Sequence, residues 1–211
     1  MRARLALARC GVDSWSGRIG TRTVKLLKTG MGSRAVAAAL ARLAPEGAAP
    51  GLVISAGFAG ALQGALRAAD LVAEELTPCA EASAALRRTA DRLRLPLYFG
   101  RIAHSQRVLC DPQEKLALGR RTGALAVDLE SATVRAWACR SGWPALALRV
   151  ILDEAVCPLP RALPDGEDGP ALARYAVGRP RDWPRLAAVW LRQRRAAGVL
   201  ARFLKEFLEA I

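Results

Sequence analysis

Two carboxylates, Asp128 and Glu130, lie close together in the run ALAVDLESA, where an apolar segment gives way to a helical one. Burying an unpaired charge is costly, so these carboxylates either are exposed to solvent or are held in place by the fold for a chemical function. A glutamate at a strand end can accept hydrogen bonds from two adjacent hydroxyls, such as those of ribose. Alternatively, each acid starts the next helix, where a carboxylate is stabilising. Asp128 fits the helix-start interpretation well, whereas Glu130 leaves both interpretations open.

A third acid, Asp153, follows the apolar run LRVIL. In a pocket with little water the pKa of such a carboxyl rises, which suits a general acid near neutral pH. One task for that acid is to protonate a purine leaving group, because a neutral base departs more easily than an anion. A helix-start role is the competing interpretation, and the sequence weights the two equally.

Two glycine-bearing turns accompany the acids. Gly30, Met31 and Gly32 precede a helical run, and Gly57-Phe58-Ala59-Gly60 follows an apolar strand. Small residues let backbone N–H groups approach an anion or a sugar closely. Neither turn matches a dinucleotide-binding or P-loop motif, so an ordinary tight turn is the default interpretation of each.

Alternating apolar runs predict an α/β fold of three layers around a central mixed sheet, in a single domain of residues 1–211. A helix at about 183–210 ends the chain, after a long surface segment at 158–184. The predicted strands are 24–29, 52–56, 71–75, 95–101, 124–127 and 146–151, and the other predicted helices are 33–44, 80–93, 115–121 and 131–141. If the strands share one direction, the residues at 57–60, 128–130 and 153–154 converge on one crevice.

Composition narrows the function classes. The net charge is +13, but only four of the 32 basic residues are lysines, and outside the C-terminal tail the arginines are spread along the chain rather than clustered among aromatics. We therefore expect no nucleic-acid partner. Five scattered cysteines and a single histidine predict neither disulfides nor a metal site. No apolar run is long enough to span a membrane, which favours a cytoplasmic location.

The arginine-rich tail allows two interpretations. Trp190, Leu200, Phe203, Leu204 and Phe207 fall near helical spacing, with arginines between them. The favoured interpretation is a helix packed on the domain. The alternative is a basic amphipathic face that makes peripheral contact with an anionic membrane.

Four motifs in order, TGMG, ISAGFAGAL, ALAVDLESA and LRVILDEA, resemble the nucleoside phosphorylase and nucleosidase superfamily over about residues 24–155. That superfamily includes purine nucleoside phosphorylases and 5′-methylthioadenosine/S-adenosylhomocysteine nucleosidases. The stretch RVLCDPQEKLALGRRTGALAVDLES is most similar to the hopanoid-associated phosphorylase branch. The resemblance implies an enzyme that cleaves the N-glycosidic bond of a purine nucleoside or an adenosyl compound such as adenosylhopane, releasing adenine.

The resemblance also implies roles for single residues. Glu130 would bind ribose and stabilise the transition state, Leu129 would pack beneath the sugar, and Asp153 would be the acid facing N7 of the purine. Arg149 would orient Asp153, unless it forms a structural ion pair. The remaining implied pocket residues are Gly57, Phe58, Ala59 and Gly60 around the base and ribose, Val108 and Leu109 near the base, and Gly30, Met31 and Gly32 on the nucleophile side. No metal or cofactor is implied, phosphate is a candidate co-substrate, and a homo-oligomer is expected.

Two departures from the family pattern leave the nucleophile open. The arginine and serine that hold phosphate in hexameric phosphorylases are matched here by Ser55 and Phe58, although Arg34 remains as a phosphate ligand. The N-terminal run MRARLALARC is typical of the helix that follows the family's first strand. The fold is then expected to lack that strand and its water-activating acid, or the true start lies upstream. A phosphate-independent nucleosidase and a catalytically inactive nucleoside-binding homologue therefore stay as alternatives.

Overall fold

A small antiparallel sheet opens the fold. The computed structural model describes residues 8–11, 13–42, 50–159 and 183–211. Its first three strands are β1 (Ala8–Gly11), β2 (Ser14–Ile19) and β3 (Arg22–Leu27), paired in the order β1-β2-β3.

The helix predicted for the N-terminal run is therefore wrong from residue 8 onward, and residues 1–7 lie outside the described part of the chain. Strand pairing explains the difference. Trp15 lies opposite Leu26, and both Trp15 and Ile19 are buried. Tertiary pairing of this kind overrides the helical propensity of alanine, leucine and arginine.

A mixed sheet of six strands forms the centre of the molecule, in the order β6-β5-β9-β4-β8-β7. β4 and β9 are parallel to each other, whereas β5 and β8 run antiparallel to the neighbours β9 and β4. The strands are β4 (Val53–Ala61), β5 (Leu71–Glu75), β6 (Leu97–Phe99), β7 (Ile102–His104), β8 (Ala126–Asp128) and β9 (Ala145–Asp153).

Helices cover both faces of this sheet. Apolar side chains of α1 and α4 pack on one face, and those of α2 and α5 pack on the other. The predicted α/β architecture with a central mixed sheet is thus confirmed. The helices are α1 (Ser33–Ala41), α2 (Ala80–Leu93), α3 (Pro112–Thr122), α4 (Ser131–Ser141) and α5 (Trp183–Ala210).

Two expectations about the strand ends are wrong. Residues 57–60 do not form a turn after β4, because the strand continues to Ala61 and pairs with β9 along this stretch. The strands also do not share one direction, because β8 is antiparallel to β4. The acids nevertheless approach the same place, since Gly60 pairs with Val127 on one side and with Asp153 on the other.

The two halves of α5 have different surroundings. Leu200, Phe203 and Phe207 are buried in the cluster that includes α2 and β9. In the first half, Trp190 is 53% exposed and Leu191 is 61% exposed. Of the predicted surface segment at 158–184, residues 160–182 lie outside the described part. Among the described helices, none is long and apolar enough to cross a membrane.

Two helical glycines provide a matched test of this packing. A Cβ on Gly119 of α3 would lie 2.6 Å from the backbone oxygen of Leu62, whereas one on Gly198 of α5 would have no atom within 4 Å. We expect Gly119→Ala to lower the free energy of unfolding by roughly 1–3 kcal/mol, because backbone must move to admit the methyl group. Gly198→Ala should raise it by about 0.5–1 kcal/mol through helix propensity. Urea unfolding of both variants measures this, and equal effects would contradict the close packing of Gly119 against Leu62, the residue that follows β4.

Candidate functional site

Asp128 supports the start of α4. Its carboxylate accepts hydrogen bonds from the backbone N–H of Ser131 at 3.2 Å and from the Ser131 hydroxyl, and a longer one from the N–H of Glu130 at 3.3 Å. The side chain is buried at the end of β8. Asp128 thus satisfies N–H groups that a helix start leaves without intrahelical partners.

Arg149 on β9 is the partner of Asp128. Its Nε donates to Asp128 Oδ2 at 2.7 Å, and its Nη2 donates at 2.9 Å both to Ser55 Oγ and to Ser131 Oγ. Its Nη1 donates to the carbonyl oxygens of Ser55 and Leu148. The guanidinium is buried and bonded to Asp128. Of the two roles left open for Arg149, the structure therefore shows the structural ion pair, and no contact of Arg149 with Asp153.

Glu130 lies against the first glycine turn. The Gly32 N–H donates to Glu130 Oε1 at 2.7 Å, and the Ser33 hydroxyl donates to the Leu129 carbonyl at 2.9 Å. Gly30 and Gly32 have φ values of 77° and 89°, a backbone region that side chains disfavour. This explains why the turn before α1 carries glycines and how it reaches the residue after β8.

A cavity of about 410 Å³ opens beside this contact. Met31, Gly32 and Leu129 line it, as does His104 at the end of β7. The other lining residues are Ser33, Arg34, Ser105, Gln106 and Arg107. Of the predicted residues, the structure thus brings Met31 and Gly32 of the first glycine turn and Leu129 of the ALAVDLESA motif to the lining of one cavity.

Asp153 ends β9 and is buried at 6% exposure. Burial raises the pKa of the Asp153 carboxyl, while the positive charges of Lys115 and Arg192 act in the opposite direction. A Cβ on Gly60 would lie 3.3 Å from Asp153 Oδ2. Glycine at position 60 therefore leaves room for this carboxylate beside β4.

Lys115 of α3 is a residue that sequence reasoning missed. It is fully buried, and its Nζ forms an ion pair with Asp153 Oδ2 and donates to the carbonyls of Glu154 at 3.3 Å and Cys157 at 3.0 Å. The sequence indicates only weakly that Lys115 belongs to the site. Lys115 is one of only four lysines in an arginine-rich chain, and it occupies a helix that reads as half-exposed.

The remaining predicted pocket residues divide between core and site. Gly57 lies over the Arg149 guanidinium, which is 3.9 Å from its Cβ position. Phe58 packs toward the α2 and α5 side, and Ala59 packs toward α1 and α4. Leu109 packs beside Val127. Val108 lies between Leu109 and Arg107, and Arg107 lines the cavity.

Sequence comparison decides the family. Residues 73–208 match the sequence profile of the phosphorylase superfamily. The chain belongs to the phosphorylase superfamily. The superfamily predicted from the four motifs is thus confirmed. A comparison with curated protein sequences finds no match.

Solved structures similar to this phosphorylase-superfamily chain include three from bacteria. The 5′-methylthioadenosine/S-adenosylhomocysteine nucleosidase of Campylobacter jejuni superimposes with a TM-score of 0.74 at 15% identity, over 100% of this chain and 93% of that one. The corresponding nucleosidase of S. pneumoniae gives 0.72 at 18% identity, over 100% and 96%. The futalosine hydrolase of Helicobacter pylori gives 0.69 at 17% identity, over 97% and 88%.

Membership in the phosphorylase superfamily and the shared fold give this protein its class. It is an enzyme of the nucleoside phosphorylase and nucleosidase type, and its reaction is cleavage of an N-glycosidic bond in a nucleoside-like compound. Within the described residues, no group of three or more His, Cys, Asp or Glu side chains is arranged to hold a metal ion.

The buried Asp128–Arg149 pair yields a stability prediction. Asp128→Asn removes the negative charge and leaves the Arg149 guanidinium buried without a counter-charge, so we expect a loss of about 3–5 kcal/mol in the free energy of unfolding. Glu209→Gln, which breaks the half-exposed Lys205–Glu209 pair on α5, is the control and should barely change it. Urea unfolding compares the two. Equal losses would show that Asp128 does not anchor Arg149.

Proposed function

We propose that this enzyme releases adenine from a purine nucleoside or another adenosyl compound, with Asp153 as general acid and Glu130 as the ribose ligand. One observation carries the proposal: Gly60 pairs with Asp153 on one side and, on the other, with the strand that leads into Glu130. One carboxylate is buried and the other is half-buried beside a cavity. Such a division suits an acid and a ligand for hydroxyls.

The acid role of Asp153 follows from its surroundings. Burial raises its pKa, so the carboxyl keeps its proton to higher pH than an exposed aspartate does. In the proposed step, Asp153 gives that proton to N7 of the purine as the C1′–N9 bond breaks and its electron pair stays on the base. An oxygen of water or phosphate forms the new bond to C1′, and an attacking water releases one of its protons to solvent.

The ligand role of Glu130 follows from its orientation. The Gly32 N–H holds Oε1, and the side chain lies next to Leu129, which lines the cavity. A carboxylate fixed in this way can accept hydrogen bonds from the two adjacent hydroxyls of a ribose. The same negative charge would stabilise the positive charge that develops on the sugar in the transition state.

Water is favoured over phosphate as the nucleophile by two contacts. Ser55 and Phe58 match the positions of the phosphate ligands in hexameric phosphorylases. The Ser55 hydroxyl accepts a hydrogen bond from buried Arg149, and the partly buried Phe58 packs against the apolar cluster on the α2 and α5 side. Arg34, which lines the cavity, is the remaining candidate for a phosphate ligand.

The experiment follows adenine and ribose 1-phosphate during incubation with adenosine, 5′-methylthioadenosine and S-adenosylhomocysteine, with and without phosphate. Asp153→Asn should slow adenine release by about 10²–10⁴-fold, because the amide cannot act as the acid. Wild-type activity should fall as the pH rises and Asp153 loses its proton. Adenine release without phosphate identifies a nucleosidase, and release that requires phosphate identifies a phosphorylase.

The exposed Asp91 of α2 provides the matched control, since Asp91→Asn makes the same chemical change away from the site and should leave the rate unaltered. Undiminished turnover by Asp153→Asn would remove Asp153 from the mechanism. A wild-type protein that binds nucleosides but releases no adenine would be the inactive homologue instead.

We extend the proposal to a lipid-linked adenosyl substrate, such as adenosylhopane, met at a membrane surface. Support comes from the first half of α5, where exposed Trp190 and Leu191 lie among the exposed Arg192, Arg194 and Arg195. The Arg194 guanidinium lies 4.7 Å from the centre of the Trp190 ring. Aromatic and apolar groups mixed with cations are suited to an anionic bilayer interface.

Co-sedimentation with lipid vesicles tests this contact. The protein should pellet with phosphatidylglycerol vesicles, less with phosphatidylcholine vesicles, and less at raised salt because screening weakens the attraction. Replacing both Trp190 and Leu191 with alanine should reduce binding. Tyr98→Ser, which alters a partly exposed aromatic on β6, is the control and should not. Equal binding to both lipids would refute an electrostatic contact.

A further inference from the structure

The Lys115 ammonium has an acceptor for each of its three protons. Asp153 Oδ2, the Glu154 carbonyl and the Cys157 carbonyl lie around Nζ, and the side chain is fully buried. A buried ammonium is tolerated only where its charge is paired and its N–H groups are bonded. Lys115 therefore joins α3 to the end of β9 and to the turn that follows it.

Lys115 bonds to one oxygen of the Asp153 carboxyl. Among the described residues, Lys115 is the one that donates to this carboxyl, and it does so at Oδ2. By contrast, both oxygens of Asp128 accept hydrogen bonds. Within the described part of the chain, the Asp153 carboxyl is thus held at Oδ2, and Oδ1 accepts no hydrogen bond.

We propose that Lys115 is a positioning residue for the acid step: it holds Asp153 by Oδ2, directs Oδ1 toward the departing base, and stabilises the carboxylate that remains. This rests on the proposed function of Asp153 as general acid. No substrate contact by Lys115 is required. Its influence passes through the Asp153 carboxyl.

The proton balance is simple. Before the step, Oδ1 of Asp153 carries a proton and Lys115 is an ammonium ion. The proton moves to the base nitrogen as the C1′–N9 bond breaks, and the bond's electron pair stays on the base. Asp153 is left as a carboxylate paired with the ammonium, and it recovers a proton from water after the products leave.

Charge explains why a lysine is useful at this position. Burial raises the pKa of Asp153, whereas the Lys115 charge lowers it. The ammonium stabilises the carboxylate that remains after the proton has moved to the base, and in this way it favours the transfer.

Other charged groups lie around Asp153. Arg192 of α5 also lowers the Asp153 pKa, by a smaller effect than Lys115, and its Nη1 donates to Cys157 Sγ at 3.2 Å. Glu154 lies next to Asp153 in the chain and pairs with Arg67 at 3.6 Å.

Two further neighbours of Asp153 carry no charge. Burial raises the pKa of the Cys110 thiol, so this thiol stays uncharged. From β4 the neighbour is Gly60, which carries no charge. Lys115 is thus the dominant charge on Asp153.

The test is a carboxyl ¹³C NMR titration of Asp153, assigned with Asp153→Asn, in the wild type and in Lys115→Met. Removing the positive charge should move the Asp153 transition to higher pH. The alkaline limb of the kcat/KM profile for adenine release should move in the same direction, while the maximal kcat falls. Lys205→Met, which removes a half-exposed lysine on α5, is the control and should move neither.

A merely structural lysine would lower stability without moving either transition, and that result overturns the proposal. The NMR titration requires no turnover, so it decides whether Lys115 controls the Asp153 carboxyl even if Asp153→Asn retains activity. In that case the coupling of the two groups stands, and the role in the acid step fails together with the proposed function. If Lys115→Met does not fold, a measurement on the wild-type protein tests the same pairing of Lys115 with Asp153. The ¹⁵N resonance of Lys115 Nζ must then shift at the pH where Asp153 titrates, and an unresponsive resonance refutes the pairing.

Discussion

The buried guanidinium of Arg149 is the contact on which the site depends. It joins the centre of β9 to Ser55 on β4, to Asp128 at the end of β8 and to Ser131 at the start of α4. β8 is only three residues long, and it pairs with β4 at two positions and with β7 at three. The ion pair with Asp128 fixes the strand end and the helix start together. The direction of Glu130, between them, follows from that constraint.

A second buried pair fixes the other acid. Lys115 holds Asp153 as Arg149 holds Asp128: the first pair links α3 to β9, and the second links β9 to β8. Asp128 and Asp153 differ in how many of their carboxylate oxygens accept hydrogen bonds from the cation and its neighbours. Asp128 is bonded at both oxygens by a side chain and by backbone groups, and it is left with a structural task. Asp153 is bonded at one oxygen by the described residues, which leaves the other oxygen for chemistry.

The sequence predicted the elements whose signals are local. β5, α2 and α4 lie where apolar periodicity and helix-start residues predict them, and so does the residue pair of Asp128 and Glu130 after a strand. β1 and β2 were missed because the local composition of the N-terminal run favours a helix and their pairing is not local, whereas the predicted strand at 24–29 overlaps β3. The continuation of β4 through Gly57–Gly60 was missed because glycines usually mark turns. Here glycines at positions 57 and 60 make room for two side chains from β9, Arg149 and Asp153. Lys115 was missed since its partner lies 38 residues away.

The two cations are not interchangeable, although the chain uses arginine for nearly every positive charge. The Arg149 guanidinium has five N–H donors, and five acceptor atoms surround it on Asp128, Ser55, Ser131 and Leu148. The Lys115 ammonium has three protons, and three oxygens surround it. A planar guanidinium could not bond three oxygens that surround a single nitrogen, and an ammonium would leave acceptors around Arg149 unsatisfied. The number and direction of buried acceptors therefore explain why a lysine persists beside Asp153 in a protein otherwise rich in arginine.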